Sequence, residues 1–378
     1  MNSVINPNDD SCIGCGACAA TCPVGCISIR ESSNGEYRPI INDSKCCKCN
    51  LCSRVCYLEN TPSKLKMGQA YYGWANNNHD RVTSSSGGIA AILARYFISI
   101  GGVVVGAGYL EDFTVSHILV DNENDLERIR GSKYVESRLD GVLKTIKDKL
   151  DKGLKLLFIG VPCQIYALKC YLKKEYSSLY LVEIFCHGAP RIGIYKKYTS
   201  YLTKKYGDIK SFNFRSKYYG WKTASYFIEF PKKRLHQKHS DNIYHLMFGY
   251  HNSLRASCFN CKCRSELRVA DISLGDFWGI DLFYKNVDLQ KGCSAIFINS
   301  PKGQGLISTI QDDISIFECK KEEILTKNAW FVKNYTIPTD QSSFNRDFQK
   351  LSINAFFRKY WIKYKVWNKI KAKLERNH

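Results

Sequence analysis

The 378-residue sequence lacks any run of about 20 clean apolar residues, the length that a membrane-spanning helix needs. Its most apolar stretch, 89–109, is interrupted by Arg95 and by Gly101, Gly102, Gly106 and Gly108. Residues 1–10 also lack the basic-then-apolar pattern of a secretory signal, being polar and closing on Asp9 and Asp10. The expectation is a soluble, cytoplasmic chain. Acidic residues are scarce: 35 Asp and Glu stand against 55 Lys and Arg, a formal net charge of +20. The excess is uneven. Residues 1–62 and 63–153 are close to neutral, whereas 154–320 carries 25 basic side chains against 13 acidic ones and 321–378 carries 13 against 5. An anionic small-molecule substrate or an acidic partner is expected to meet that later part. Nucleic acid is not expected, because no recognised nucleic-acid module accompanies the charge. With 44% hydrophobic and 13% aromatic residues the chain is not disordered, and its length predicts two or three domains.

Cysteine, by contrast, is plentiful, with 18 residues. A long chain without a secretory signal has no need of a disulfide framework, so these cysteines point to metal or redox chemistry. Cys12, Cys15, Cys18 and Cys22 follow a C-x2-C-x2-C-x3-C step before Pro23, and Cys46, Cys49, Cys52 and Cys56 repeat it before Tyr57. Three thiolates two residues apart fit one [4Fe–4S] cube, and the fourth ligand turns to a second cube. The expected sets are therefore Cys12, Cys15, Cys18 and Cys56 for one cluster, and Cys46, Cys49, Cys52 and Cys22 for the other. Structural zinc would pair C-x2–4-C units across a longer gap, without the triple step. Residues 1–62 thus read as a two-cluster ferredoxin domain of the bacterial kind. Cys26 and Cys47 are left over and are expected as small buried apolar side chains.

Residues 58–70 are polar, lack periodicity and read as a linker. A short strand is expected over 71–76. Ser84, Ser85, Ser86, Gly87 and Gly88 then precede Ile89, Ile92, Leu93, Tyr96 and Phe97, an apolar set of helical spacing. Hydroxyls and glycines ahead of a helix leave amides free at the positive end of its dipole, which suits an anion or an ordinary serine cap. Val103–Gly108 is not a dinucleotide fingerprint, because Glu111 stands where the third glycine belongs; 103–120 reads as two strands joined at Glu111-Asp112. Cys163 and Cys186 each follow an apolar strand, 156–159 and 180–184, and Cys258, Cys261 and Cys263 lie close together further on. Strand ends are where sheet folds place ligands, so these scattered cysteines are candidates for a third cluster.

GSKYVES (131–137), GVPCQ (160–164), CHG (186–188), FNFRSKYYGW (212–221), SCFNC (257–261), ADISLGDFWG (270–279) and KGCS (291–294) occur in that order. From about residue 66 to 320 the chain resembles the beta subunit of the coenzyme F420-reducing hydrogenase and dehydrogenase family. The resemblance implies a flavin enzyme that binds FAD beside a [4Fe–4S] cluster and moves electrons between iron–sulfur clusters and a two-electron carrier. By motif position it assigns the third cluster to Cys163, Cys186, Cys258 and Cys261, with Cys263 as substitute. For FAD it points to Ser84, Ser85, Ser86, Gly87 and Gly88, to Lys133 and Tyr134, and more weakly to Asp276 and Lys291. His187 reads either as a proton donor to flavin or substrate or as a structural strand-end histidine. Cys170, Cys293 and Cys319 are expected as core thiols.

The expected architecture is α+β. The ferredoxin domain is followed by an α/β flavin- and iron–sulfur-binding body in two parts, 66–153 and 154–325, and by a basic aromatic helical tail, 326–378. Residues 354–378 hold eight Lys or Arg and one Glu, with Phe357, Trp361, Tyr364, Trp367, Ile370 and Leu374 on one helical face and Lys359, Lys363, Lys369, Lys373 and Arg376 on the rest. Such a helix packs on its own domain or lies on a membrane surface. Two functions compete. One is an iron–sulfur flavoprotein oxidoreductase acting on an organic two-electron substrate, whether coenzyme F420 or a compound of a biosynthetic pathway such as polysaccharide synthesis. The other is a non-catalytic electron-transfer subunit of a larger complex. Both need an external electron donor or acceptor protein.

Overall fold

A computed structural model describes residues 5, 6 and 8–374, and of Lys369 and 371–374 the backbone only. Arg376 and the first four residues lie outside the described part.

In the N-terminal part, Ile27–Glu31 pairs antiparallel with Tyr37–Ile41, and alternation turns Ile27, Ile29 and Tyr37 inward. The short helix Ala17–Thr21 packs on the helices Leu143–Asp151 and Pro162–Leu172 of the body. Its small residues allow this: Ala17 and Ala20 are buried in the same apolar cluster as Ile146, Ile165 and Leu168.

The body is built on one eight-stranded sheet. Its order is Ile314–Glu318, Gln69–Ala75, Ser294–Ile298, Ile272–Asp276, Leu179–Ile184, Leu156–Gly160, Val103–Tyr109, Val115–Val120. The central four strands, from Ile272–Asp276 to Val103–Tyr109, run parallel and the outer pairings are antiparallel. Parallel strands are buried on both faces and read as continuous apolar runs. Val103, Val105, Leu156 and Phe158 face the helices Leu143–Asp151 and Pro162–Leu172, while Val104 and Leu157 face Ile89–Ser99 and Pro301–Thr309. The expected division at 153/154 runs through this sheet: Gln69–Ala75 sits between two late strands, and Val103–Tyr109 pairs with Leu156–Gly160. A three-stranded antiparallel sheet, Ser211–Ser216, Ser225–Phe230 and Lys233–Lys238, covers one side of the large cavity described below. The expected linker contains a short strand, Leu65–Lys66, paired with Leu267–Arg268.

Ile353–Leu374 is one helix. Phe356, Phe357, Tyr360 and Tyr364 are buried against the helices Ile192–Tyr206 and Ile243–Gly249, and the Tyr364 hydroxyl donates to Asn252 Oδ1 at 2.9 Å. The expected face therefore packs as far as Tyr364. Beyond it contact thins to Tyr250, which meets the Trp367 ring edge-on at 5.3 Å and donates to Asn368 Oδ1 at 2.6 Å, and Trp367 and Ile370, expected on the packed face, are exposed. Ile362 (54% exposed), Val366 (49%) and Ile370 (52%) form an outward row at i, i+4 and i+8. Lys359 and Lys363 pair with Asp347 and Asp340, and Lys365 with Asp241. Among the described residues no helix is long and apolar enough to cross a membrane.

Candidate functional site

Cys12, Cys15, Cys18 and Cys56 lie within reach of one another, and Cys22, Cys26 and Cys46 form a second neighbourhood. Burial pushes the Cys15 thiol up, and Cys18, Cys12 and Cys56 are near enough to push it further; Cys18, at about 12, feels burial, then Cys12 and Cys56. The turns between these cysteines need glycine. Gly14 (φ +60°) and Gly16 (φ +82°) are left-handed, and a Cβ would collide with Tyr37 at the first and with Asp140 of the body at the second. Of the second expected set, Cys52 is buried, Cys22 and Cys46 are half-buried and Cys49 is exposed. Cys26 stands beside Cys22, its Sγ 3.5 Å from Cys22 Sγ and its thiol raised to about 12 by burial, Cys22 and Cys46. Cys47 is exposed, against the expectation of a buried side chain, because Lys48 (φ +55°) and Asn50 (φ +59°) bend its loop into solvent.

A third group forms in the body. Cys163 opens the helix Pro162–Leu172 and Cys186 follows the strand Leu179–Ile184. Cys258 closes the turn Ala256–Cys258, and Cys261 lies three residues on. Burial raises Cys186 to about 12, with Cys163, Cys258 and Cys261 adding to it. Cys163 is raised to about 11 by burial. Cys263 bonds Cys261, and that bond holds the Cys261 thiol down at about 6. The Ala189 amide donates to Cys258 Sγ at 3.4 Å, and Arg255 Nη2 lies 3.8 Å from Cys163 Sγ. Four neighbouring thiols, two of them with an N–H donor directed at the sulfur, have the chemistry that would suit an iron–sulfur cube. Among the described residues no three His, Cys, Asp or Glu side chains close on one point as a single metal ion requires. Cys170 and Cys293 are buried and Cys319 is half-buried.

Beside this third group lies a cavity of about 760 Å³. It opens at the carboxyl ends of the parallel strands, which contribute Ile159–Val161, Ile184–Gly188 and Leu274–Asp276 to its wall. Ser84, Ser85, Ser86 and Gly88 line one end with the first turn of the helix Ile89–Ser99. Gly88 (φ +95°) precedes that helix without a side-chain cap, and the amides of Ile89 and Ala90 have no hydrogen-bond partner among the described residues. Gly87 lies behind the loop, its N–H bonded to Ser294 Oγ at 3.0 Å. Lys217 pins the loop by donating to the carbonyls of Arg81, Ser86 and Lys291, each at 2.6 Å.

Lys133 also lines the cavity. Its ammonium donates to the Arg130 carbonyl at 2.8 Å, and burial pulls it down to about 7. Tyr134 stacks on Phe248 with centroids 5.1 Å apart. Asp276 faces the cavity but is already paired, accepting from Arg215 Nη2 at 3.1 Å and Trp221 Nε1 at 2.7 Å. Lys291 lies outside the lining; its ammonium is 3.9 Å from Asp288 and only its carbonyl serves the loop, through Lys217. His187 is in the wall with both ring nitrogens engaged, Nδ1 with the Tyr335 hydroxyl at 2.9 Å and Nε2 with His251 Nε2 at 3.2 Å. Both nitrogens thus have partners within the protein.

Other cavity groups were not among the site residues expected from the sequence. Arg215 is buried, and its Nε has no partner. His245 stacks on His239 at 3.7 Å and uses only Nδ1, toward the Tyr226 hydroxyl at 3.4 Å. Glu136, raised to about 7 by burial, also faces the cavity. FNFRS did mark Arg215 as part of a motif, but its role depends on Asp276, 61 residues away.

Residues 11–59 match the 4Fe-4S dicluster domain, and residues 153–323 match the C terminus of the coenzyme F420 hydrogenase/dehydrogenase beta subunit. The chain is 24% identical over 334 residues to a subunit of the F420H2 dehydrogenase of Methanosarcina mazei, covering 82% of this chain and 86% of that protein. It is 26% identical over 185 residues to the coenzyme F420-dependent sulfite reductase of Methanocaldococcus jannaschii, covering 47% of this chain and 28% of that longer protein. A chain of the F420-reducing [NiFe] hydrogenase complex from Methanosarcina barkeri superimposes with a TM-score of 0.47 at 16% identity, over 70% of this chain and 90% of that one. The protein thus joins a segment that matches the 4Fe-4S dicluster domain at its N-terminus to a body whose residues 153–323 match the C-terminal model of coenzyme F420 hydrogenase/dehydrogenase beta subunits.

Proposed function

We propose that the chain is an iron–sulfur flavoprotein oxidoreductase that exchanges electrons between [4Fe–4S] clusters and FAD, and through FAD with an organic two-electron substrate. The observation that carries this is the cavity itself: its lining holds the Ser84–Gly88 end at one place and Cys186 of the third cysteine group at another. The free amides of Ile89 and Ala90, the Ser84 and Ser85 hydroxyls and the Lys133 ammonium would hold the FAD pyrophosphate. Arg215 Nε, buried without a partner, is a donor awaiting an acceptor, and such a group in a cavity wall fits a polar ligand. Tyr134, Phe248 and Trp330 offer flat apolar walls to a ring. Cys163, Cys186, Cys258 and Cys261 would hold the third cluster, beside the two of the ferredoxin domain. A bound flavin supplies the exchange between one-electron and two-electron carriers that iron–sulfur centres lack.

The substrate is read as anionic, because Lys222 and Lys238 also line the cavity. A deazaflavin such as coenzyme F420 fits that description, and so does a charged biosynthetic intermediate. The exposed loop of Cys47 and Cys49 suits an external electron-carrier protein. The row Ile362, Val366 and Ile370 on a basic helix suits peripheral contact with a membrane surface.

The test is turnover by the purified chain. With a reduced one-electron donor under anaerobic conditions it should reduce a soluble two-electron acceptor, and coenzyme F420 is the first to try. Activity only after a larger partner protein is added would favour the electron-transfer reading, which the relative named as part of a dehydrogenase supports.

A further inference from the structure

We infer that Arg255 is a positioning residue that joins the ferredoxin domain to the third cysteine group and sets the reduction potential of the cluster held there. The inference rests on the reading above that Cys163, Cys186, Cys258 and Cys261 hold a cluster.

Arg255 is 7% exposed and touches three parts of the molecule at once. Nη1 donates to the Ile13 carbonyl at 2.8 Å, between Cys12 and Gly14 of the ferredoxin loop. Nη2 lies 3.8 Å from Cys163 Sγ, and Cys258 is within electrostatic reach of the guanidinium. Its backbone amide donates to the Ala189 carbonyl at 3.1 Å, and the Ala189 amide in turn points at Cys258 Sγ, so the arginine sits on the loop that presents that thiol. Its acid neighbour, Glu136, is offset: Arg255 Nε is 3.6 Å from Glu136 Oε1, and neither atom has a hydrogen-bond partner. Both Glu136 oxygens are directed at backbone or left free, Oε2 accepting from the Ile192 amide at 3.0 Å and the Tyr37 amide at 3.4 Å. The guanidinium charge is therefore spent mainly on the sulfurs. A buried cation beside thiolates stabilises the extra negative charge of a reduced cluster, because the field is poorly screened in a protein interior. A guanidinium can do this while bridging two backbone segments, since its donors form a rigid fork with a permanent charge.

A role limited to holding the two parts together would alter stability when the residue is replaced and leave the potential unchanged. Arg255→Gln, Arg255→Lys and Glu136→Gln are compared with the parent by iron content and by redox titration followed by EPR, at pH 9, where Glu136 is ionised. In Arg255→Gln the third cluster should become harder to reduce, its reduced-to-oxidised ratio at fixed potential falling about tenfold, or roughly 59 mV for one electron. Arg255→Lys should restore most of the shift, and Glu136→Gln should move the potential the opposite way. Unchanged potential in Arg255→Gln with full iron overturns the inference. If Arg255→Gln instead loses the cluster, the Glu136→Gln titration decides, and no shift there overturns it. A parent with only about eight iron atoms would show that the third-cluster reading itself has failed, separately from the role of Arg255.

Discussion

The two cysteine-rich regions of this chain hold their cysteines in opposite ways. In the N-terminal domain each group comes mainly from one short loop: Cys12, Cys15 and Cys18, or Cys46, Cys49 and Cys52, are spaced by the backbone itself. In the body, Cys163, Cys186 and Cys258 meet only because a parallel sheet brings two strand ends and a distant turn to one place. The first arrangement needs little besides glycines at Gly14 and Gly16. The second depends on the whole fold and shares it with a cavity, since Cys186 belongs to both. A local group is a self-contained electron carrier; a group assembled by the fold can be coupled to a bound molecule.

The sharpest way to break this comparison is to remove one ligand from each kind of group. Cys258→Ser should lower the iron content by about four atoms and leave the ferredoxin signals intact, whereas Cys49→Ser should affect only the exposed ferredoxin group. Unchanged iron in Cys258→Ser would dissolve the third group. Next in size is the anion end of the cavity. Lys133→Ala should weaken FAD retention roughly 10- to 150-fold, from about 1.5–3 kcal/mol for a charged hydrogen bond, as measured by flavin released on dilution.

The pH dependence at Lys133 has a definite sign. Burial pulls its ammonium down to about 7, and a phosphate partner raises that value again. Its contribution to flavin affinity is therefore complete below pH 7 and is lost as pH rises from 7 toward the raised value. Dissociation constants at pH 6 and pH 9 should show weaker binding at pH 9, and Lys133→Ala should flatten the difference.

Gly16→Ala tests how the two regions are joined, because the added Cβ meets Asp140 at a left-handed φ of +82°. A stability loss of about 1–3 kcal/mol in denaturant unfolding is expected. The smallest effect belongs to the tail. Ile362→Ser should change stability by no more than about 0.5 kcal/mol, since that side chain faces water. It should nevertheless reduce co-sedimentation with anionic vesicles if the outward row touches a membrane. Tyr364→Ala, on the packed face, should cost about 3–5 kcal/mol by analogy with buried Phe and Trp.

Legibility in the sequence followed the same division between local and assembled structure. The ferredoxin spacing, the strand expected at 71–76 and found at Gln69–Ala75, the helix from Ile89 and the strand pair at 103–120 are all local patterns, and each is present. The order of the eight-stranded sheet was not legible, because it inserts Gln69–Ala75 between strands more than 200 residues later. Cys47 was expected inside and lies outside, because two left-handed residues turn its loop. Lys291 was read as a cofactor contact from its motif, yet it is the backbone of KGCS that matters, as an acceptor for Lys217. Arg255 gave no signal at all: a single arginine in a basic chain is inconspicuous until the fold sets it between Ile13 and Cys163. The tail's apolar spacing was visible, but the point where the helix leaves the body depends on how far the body extends.

The account stands on a fold-assembled third cluster beside a flavin cavity, and the most direct test is the cofactor content of the anaerobically purified chain. The account predicts about twelve iron atoms and one non-covalent FAD per chain. About eight iron atoms with no flavin would contradict it and leave a ferredoxin domain joined to a body of some other use.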